Sequence, residues 1–247
     1  MRAVQVTWLR ELRAFKGVFA CGVPLCAFLA VAGWSFVRAL GLAEGGPLQL
    51  QTVWGCAVAP WLPIFCSVLT MRLFAEERAT GMLDVLFATS LRERDLAIGK
   101  FLAALSVVAL ALALSVAVPL GILPFFSSTA KAAIHLLPFA AVFAILLLQA
   151  AAWCAAGTMI SAFFRNPAAS AVSSLLLCSA APVGVYLMML CWMPEMRAQV
   201  PWMPIMIHVY DFSTGFFSLP VVLLYVTATA FFLFGCSKLL VYLRLRG

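Results

Sequence analysis

Six long runs of this chain contain almost no charge, and they constrain its fold more than any other feature. They fall at about Val18–Val37, Val53–Met71, Phe101–Phe126, Ile134–Phe164, Ala168–Met193 and Phe216–Leu240. A helix of about 20 apolar residues crosses the ~30 Å hydrocarbon layer of a bilayer, so each run is long enough to span. Within hydrocarbon, backbone N–H and C=O groups must pair inside the segment, which favours helices. Composition agrees, with 65% of the 247 residues hydrophobic and 10% charged, against roughly 45–50% and about 25% in soluble domains. The sequence therefore predicts an all-α membrane protein with six transmembrane helices. The third and fourth runs exceed one straight crossing and have to tilt or project beyond the headgroups. Only short connections and the two ends remain, so any motor domain is expected on another polypeptide.

Placing the N-terminus in the cytoplasm puts 13 of the 16 basic residues inside and leaves Arg38, Lys131 and Arg197 outside. Positive charge is retained on the cytoplasmic side, so the expected topology has both termini there. The net charge of +7 is a topology signal, and nucleic acid is not an expected partner. Ala30-Val31-Ala32 imitates a signal-peptide cleavage site, but the apolar run continues beyond it, which favours an uncleaved first span. The eight cysteines form no C-x-x-C pair, and no metal site is expected.

No Asp, Glu, Lys or Arg lies deep in the six runs, where ion-coupled transporters usually place them. The mild polar residues there, and small pairs such as Ala152/Ala156 and Ser170/Ser174, are accounted for by helix packing. Gln149 and Trp153, spaced i, i+4, share a helix face. They are candidates for a substrate path or for a packed contact. Pro60 and Pro63 favour a kink in the second span. There is no phosphate-binding G-x-x-x-x-G-K-[ST], no G-x-S-x-G and no H-E-x-x-H. Without a nucleotide site, nucleophile or metal motif the chain is not expected to be an enzyme.

The informative segment is the connection at residues 74–103, which holds five of the nine acidic residues. Thr80 is positioned to N-cap a short helix carrying Asp84 in its first turn. Leu83, Leu86 and Phe87 then form an apolar face directed at the cytosol, able to lie on lipid or to dock into a protein groove. Ser90-Leu91-Arg92-Glu93 has the capping-box form and is expected to start the third span. Near the N-terminus, Trp8, Leu12 and Phe15 are expected to face lipid on an amphipathic elbow helix that also carries Arg10 and Arg13. Pro194–Gly215, with Trp202, His208 and Asp211, reads as an interfacial or re-entrant segment rather than a seventh span.

These stretches resemble a known family. Glu76-Glu77-Arg78, Thr80-Gly81, Leu83-Asp84-Val85-Leu86, Ala88-Thr89-Ser90 and Ile98-Gly99-Lys100-Phe101 are similar to the region around the first coupling helix of ABC-2-type transporter permeases. Gly157-Thr158-Met159-Ile160-Ser161-Ala162-Phe163-Phe164-Arg165-Asn166 resembles the end of that family's fourth span. His208-Val209-Tyr210-Asp211-Phe212-Ser213-Thr214-Gly215 resembles the segment before the last span in the GldF-like branch, and with Arg10–Phe15 the likeness covers nearly the whole chain as one permease domain. It implies a six-helix permease half in a bacterial inner membrane. Its implied partners are a second half, identical or not, and a cytosolic ATPase subunit that binds the ATP and Mg; a membrane-anchored extracytoplasmic protein is common in that branch. No cofactor is implied for this chain.

On that resemblance, Glu76, Glu77, Arg78, Thr80, Gly81, Leu83, Asp84, Leu86, Phe87 and Ser90 would couple to the ATPase. Arg165 and Asn166 would supply a second, smaller contact. Trp202, His208, Asp211 and Phe212 would form an extracytoplasmic gate or partner site. The leading function is to couple ATP hydrolysis by the ATPase subunit to export or to work on an extracytoplasmic substrate. The rival is mechanotransmission, in which ATP moves or releases an extracytoplasmic partner without a solute crossing.

Overall fold

The computed structural model describes residues 2–15, 22–42, 49–88, 92–126, 136–178 and 204–246. Among them every regular element is a helix. The amphipathic α1 (Arg2–Phe15) precedes α2 (Val23–Leu42), the first long apolar helix. The second crossing is composite: α3 (Leu50–Val58), a 3-10 turn at Ala59–Trp61, then α4 (Leu62–Thr70). Pro60 and Pro63 each fall in the first turn of the element they open, where a missing N–H costs least. The expected kink is thus a 3-10 break between two α-helical halves.

Two short helices follow, α5 (Ala75–Ala79) and α6 (Met82–Phe87). The chain then runs through α7 (Glu93–Ser115) and α8 (Ala117–Phe126), through the long α9 (Leu136–Phe163), and into α10 (Pro167–Cys178). Last come α11 (Pro204–Ser213) and α12 (Leu219–Arg246).

Five segments are long and apolar enough to cross a membrane: Val23–Gly41, Leu50–Ala79, Glu93–Gly121, Leu136–Phe163 and Leu219–Leu245. They correspond to five of the six runs. Of the other, predicted at residues 168–193, α10 is described and the remainder lies outside the described residues. Two boundaries differ from expectation. The first apolar helix continues to Leu42 and includes Arg38. The third begins at Glu93 with Arg92 as its N-cap and no side-chain capping bond, whereas the sequence places its capping box on Ser90. Ser90 itself lies outside the described residues. Lys100 is consequently an interior residue of a spanning helix, not a flanking charge.

α9 is the central element, packing on α12, α4, α7 and α11. Its mid-section is close to all-round apolar, and Ile145, Leu146, Ala150, Cys154 and Ala155 are buried, the pattern expected of a helix surrounded by others. Ala152 and Ala156, read as packing positions, are buried there too. At one end of the bundle Trp54 stacks on Phe139 with ring centroids 5.1 Å apart. Its indole N–H donates to Ser115 Oγ at 3.2 Å, tying α3 to α7. At the other end lie α1, α5, α6, the start of α7 and the C-termini of α9 and α12. There Arg244 on α12 pairs with Glu93 on α7 at 2.5 Å.

Candidate functional site: an ionic junction at one end of the bundle

α1 carries Thr7, Trp8, Glu11, Leu12 and Phe15 on one helical face. Leu12 and Phe15 pack against the core, and Trp8 Nε1 donates to Ser106 Oγ on α7 at 3.0 Å. This corrects the expectation that Trp8, Leu12 and Phe15 face lipid. The face that offers them also offers Glu11, whose partner across the contact is Lys100 on α7, so the helix turns inward and exposes Val6 and Leu9 instead. Arg13 is exposed.

Gly99 makes that docking feasible, because a β-carbon there would sit 2.7 Å from Thr7 Cβ and 3.3 Å from the Val4 carbonyl. Gly99→Ala is expected to lever α1 off α7 and destabilise the chain by about 1–3 kcal/mol, the usual range for overpacking. Gly33→Ala on α2, where nothing lies within 4 Å, is the control. Thermal unfolding in detergent should separate the two variants, and equal midpoints would refute the close-packed α1.

Lys100 is 1% exposed at its side chain. Its ammonium is 2.9 Å from Glu77 Oε1 and 3.3 Å from Glu11 Oε1. It also donates to the Leu73 carbonyl and lies 4.8 Å from the centre of the Phe74 ring. Arg10 closes the set, with Nη2 2.7 Å from Glu11 Oε1 and 3.1 Å from Glu77 Oε1. Two cations thus face two carboxylates, and the cluster is neutral. A buried lysine is tolerable where opposite charge and hydrogen bonds replace its water. The cluster joins three elements that are remote in sequence: α1, α5 and α7.

α5 and α9 cap one another. Phe74, the N-cap of α5, has no side chain that can accept a hydrogen bond. Ser161 of α9 substitutes for it, since its hydroxyl oxygen accepts from the Phe74 N–H at 3.0 Å and the Ala75 N–H at 3.1 Å and donates to the Met71 carbonyl. In return Arg78 on α5 donates to the carbonyls of Ala162 at 2.5 Å and Phe163 at 2.7 Å, at the C-terminus of α9. Each helix end would otherwise present unpaired backbone groups, and a guanidinium at a helix C-terminus also suits its dipole.

Thr80 does not N-cap α6. It is the C-cap of α5, and its hydroxyl donates to the Glu76 carbonyl at 3.0 Å. Gly81 follows with φ +72°, the left-handed residue that stops a helix. The Thr-Gly pair is therefore a stop signal. Asp84 is the third residue of α6 and so falls in its first turn, as the sequence predicts.

The apolar face of α6 also differs from expectation. Leu83 and Leu86 are buried and Phe87 packs against the core, whereas Met82 is 53% and Val85 61% exposed. A six-residue helix lying on a helical bundle buries its more continuous apolar face, which leaves Met82 and Val85 on the outer side. Glu76 is exposed and lines a cavity of about 330 Å³ between α1 and the end of the second crossing. Arg165 and Asn166 are exposed, and Asn166 Oδ1 accepts from the Ala168 N–H at 3.0 Å, capping α10.

The remaining predicted site residues lie toward the opposite end. Gln149 is fully buried and its Nε2 donates to Tyr225 OH at 3.2 Å. Tyr225 OH lies 2.9 Å from His208 Nδ1. Burial pushes the His208 ring below its ordinary pKa, against the pull of the Asp211 carboxylate. A neutral ring can accept the tyrosine proton. The chain Gln149–Tyr225–His208 thus links α9, α12 and α11. Trp153 is half-buried against the core, and its Nε1 has no partner among the described residues. Phe212 is 4% exposed and meets Phe217 edge-on at 5.5 Å, so it belongs to the interior and not to a partner surface. Asp211 is half-buried, and Trp202 lies outside the described residues.

A family model described as ABC-2 family transporter protein matches residues 27–210. The chain belongs to the ABC-2 transporter family. No curated protein matches it. ABC-2 membership makes it a multi-pass membrane subunit of an ATP-binding-cassette transporter, from a family that works with a partner ATPase subunit. The match covers the composite second crossing, α5, α6 and all of α9. It therefore contains most of the ionic junction, with Glu77, Arg78, Lys100 and Ser161 inside it and Arg10 and Glu11 before it.

Two features of this candidate site are not singled out by the sequence. Ser161 was one of several mild polar residues in an apolar run, and Lys100 was one of many cytoplasmic charges. Both occur within stretches that carry the family resemblance, and that was the available signal.

Proposed function

We propose that this ABC-2 chain is a permease half whose α5–α6 hairpin receives the power stroke of a cytosolic ATPase. The observation that carries the reading is the fastening of α5 from several sides. Ser161 and Arg78 hold it to α9, and Glu77 holds it through Lys100 to α7 and through Arg10 to α1. A force on the exposed side of α6 would reach the helices without a loose joint between. The second half would be a copy of this chain or a related one, with ATP and Mg bound on the ATPase subunit.

Chain direction supports six crossings. α9 ends at the junction, beside Arg78, while α12 ends there beside Glu93 and therefore begins at the opposite end. On this reading α10 opens the sixth crossing, whose remainder lies outside the described residues. With the junction on the cytoplasmic side of a bacterial inner membrane, both termini are cytoplasmic, in keeping with the distribution of basic residues.

The His208–Gly215 resemblance supports the GldF-like branch. Mechanotransmission is favoured as a second reading by the Gln149–Tyr225–His208 chain, which couples an extracytoplasmic helix to two spanning ones. Affinity purification of the full chain from its native membrane is expected to recover an ATP-hydrolysing subunit. Recovery without any ATPase would overturn the coupling reading. A co-recovered extracytoplasmic protein, with no solute moved in reconstituted vesicles, would select mechanotransmission over export.

A further inference from the structure

α2 and the composite second crossing do not close against each other along their whole length. Toward the end away from the ionic junction they leave a groove of about 760 Å³, lined among others by Trp34, Val53, Cys56, Trp61 and Met206. That is within the range of sites that hold a discrete small molecule. Trp34 is 68% exposed on a helix long and apolar enough to span, so the groove opens toward lipid. Its wall is apolar, because the Trp61 indole N–H is engaged by Ser35 Oγ at 2.8 Å.

Among the described residues the groove has one charged lining residue, Arg38, one helical turn beyond Trp34 and one turn short of the end of α2. Arg38 is exposed and makes no ion pair among the described residues. A charge inside a spanning segment is costly unless it is matched. Lys100 and Arg10 at the junction are matched by carboxylates of this chain, and Arg38 has no such match among the described residues.

We infer that this groove is a binding site for one glycerophospholipid with a net-anionic headgroup. Its acyl chain lies along Val53, Cys56 and Trp61, and its phosphate is held by the Arg38 guanidinium. The planar fork of arginine matches two phosphate oxygens. Tryptophan at headgroup depth is the usual companion of such a contact. A zwitterionic lipid offers the same phosphate but brings a cationic group beside Arg38. Charge complementarity therefore selects the anionic lipid.

The test uses the full-length chain purified in detergent, stripped of lipid and titrated with phosphatidylglycerol or phosphatidylcholine, with bound lipid counted by native mass spectrometry. Phosphatidylglycerol is expected to bind about tenfold more tightly, the increment of one charge-assisted contact. Arg38→Gln should bring the two lipids to parity, and Arg38→Lys should restore part of the preference. An unchanged preference in Arg38→Gln would overturn the assignment, as would parity in the native chain. A photo-crosslinking residue at position 34 in phosphatidylglycerol vesicles provides a readout on the otherwise native chain. A lipid adduct is the expected product. A covalent dimer of two copies would show that the groove is a subunit interface and not a lipid site.

Discussion

Lys100→Met is expected to destabilise the detergent-solubilised chain by about 3–5 kcal/mol, the usual consequence of removing one partner of a buried ion cluster. Methionine fills nearly the volume of lysine, so the loss is electrostatic and not a cavity effect. Without the ammonium, Glu11 and Glu77 face each other with one half-exposed Arg10 between them, and their side chains are only 12% and 18% exposed. The Leu73 carbonyl also loses its donor. Carboxylates that cannot reach water have to protonate or separate, and separation pulls α5 from α1.

The double variant Lys100→Met/Glu77→Gln should therefore recover part of the loss, because it deletes the stranded charge with its partner. Thermal unfolding of the native chain, the two single variants and the double variant completes the cycle. Strict additivity, or a Lys100→Met midpoint equal to that of the native chain, would show that the cluster is not closed. The variant should also be more readily cleaved by protease between α1 and α2, as α1 loses its attachment.

The spanning helices were legible because their signal is local. Twenty consecutive apolar residues need no partner to be recognised, and α9 emerged within two residues of the predicted run. Features that depend on a remote partner were not legible. Thr80 is a plausible N-cap in any window that ends at Phe87. Only the positive φ of Gly81 and the position of Ser161, 81 residues beyond Thr80, reassign it to stopping α5. The elbow face failed in the same way. Amphipathicity shows that α1 has an apolar side, but lipid and protein are equally apolar, and a hydrophobic stripe does not distinguish them. What distinguished them was Glu11, an acidic residue on the apolar side, which is costly against lipid and satisfied against Lys100.

α6 poses that ambiguity in its most testable form, because Val85 and Leu86 are adjacent and equally apolar in sequence. Val85 is 61% exposed and Leu86 8%. Leu86→Asp would bury a carboxylate within the hydrophobic core, at a loss of several kcal/mol on top of the forfeited leucine packing. It is expected to fail in assembly or to be degraded, and its phenotype would reveal nothing about docking. Val85→Asp places the same carboxylate in solvent and leaves the fold intact, since surface changes of this kind usually shift stability by within about 0.5 kcal/mol. On the proposed function it nevertheless puts a charge into the apolar contact with the ATPase subunit. Val85→Asp should therefore retain the unfolding midpoint of the native chain while losing most of the co-purifying ATPase, and Val85→Leu should retain both. If Val85→Asp keeps its ATPase and its transport or mechanical output, the exposed side of α6 is not the docking surface. The power stroke would then have to enter elsewhere, and the exposed turn at Arg165–Asn166 is the nearest alternative on the same end of the bundle.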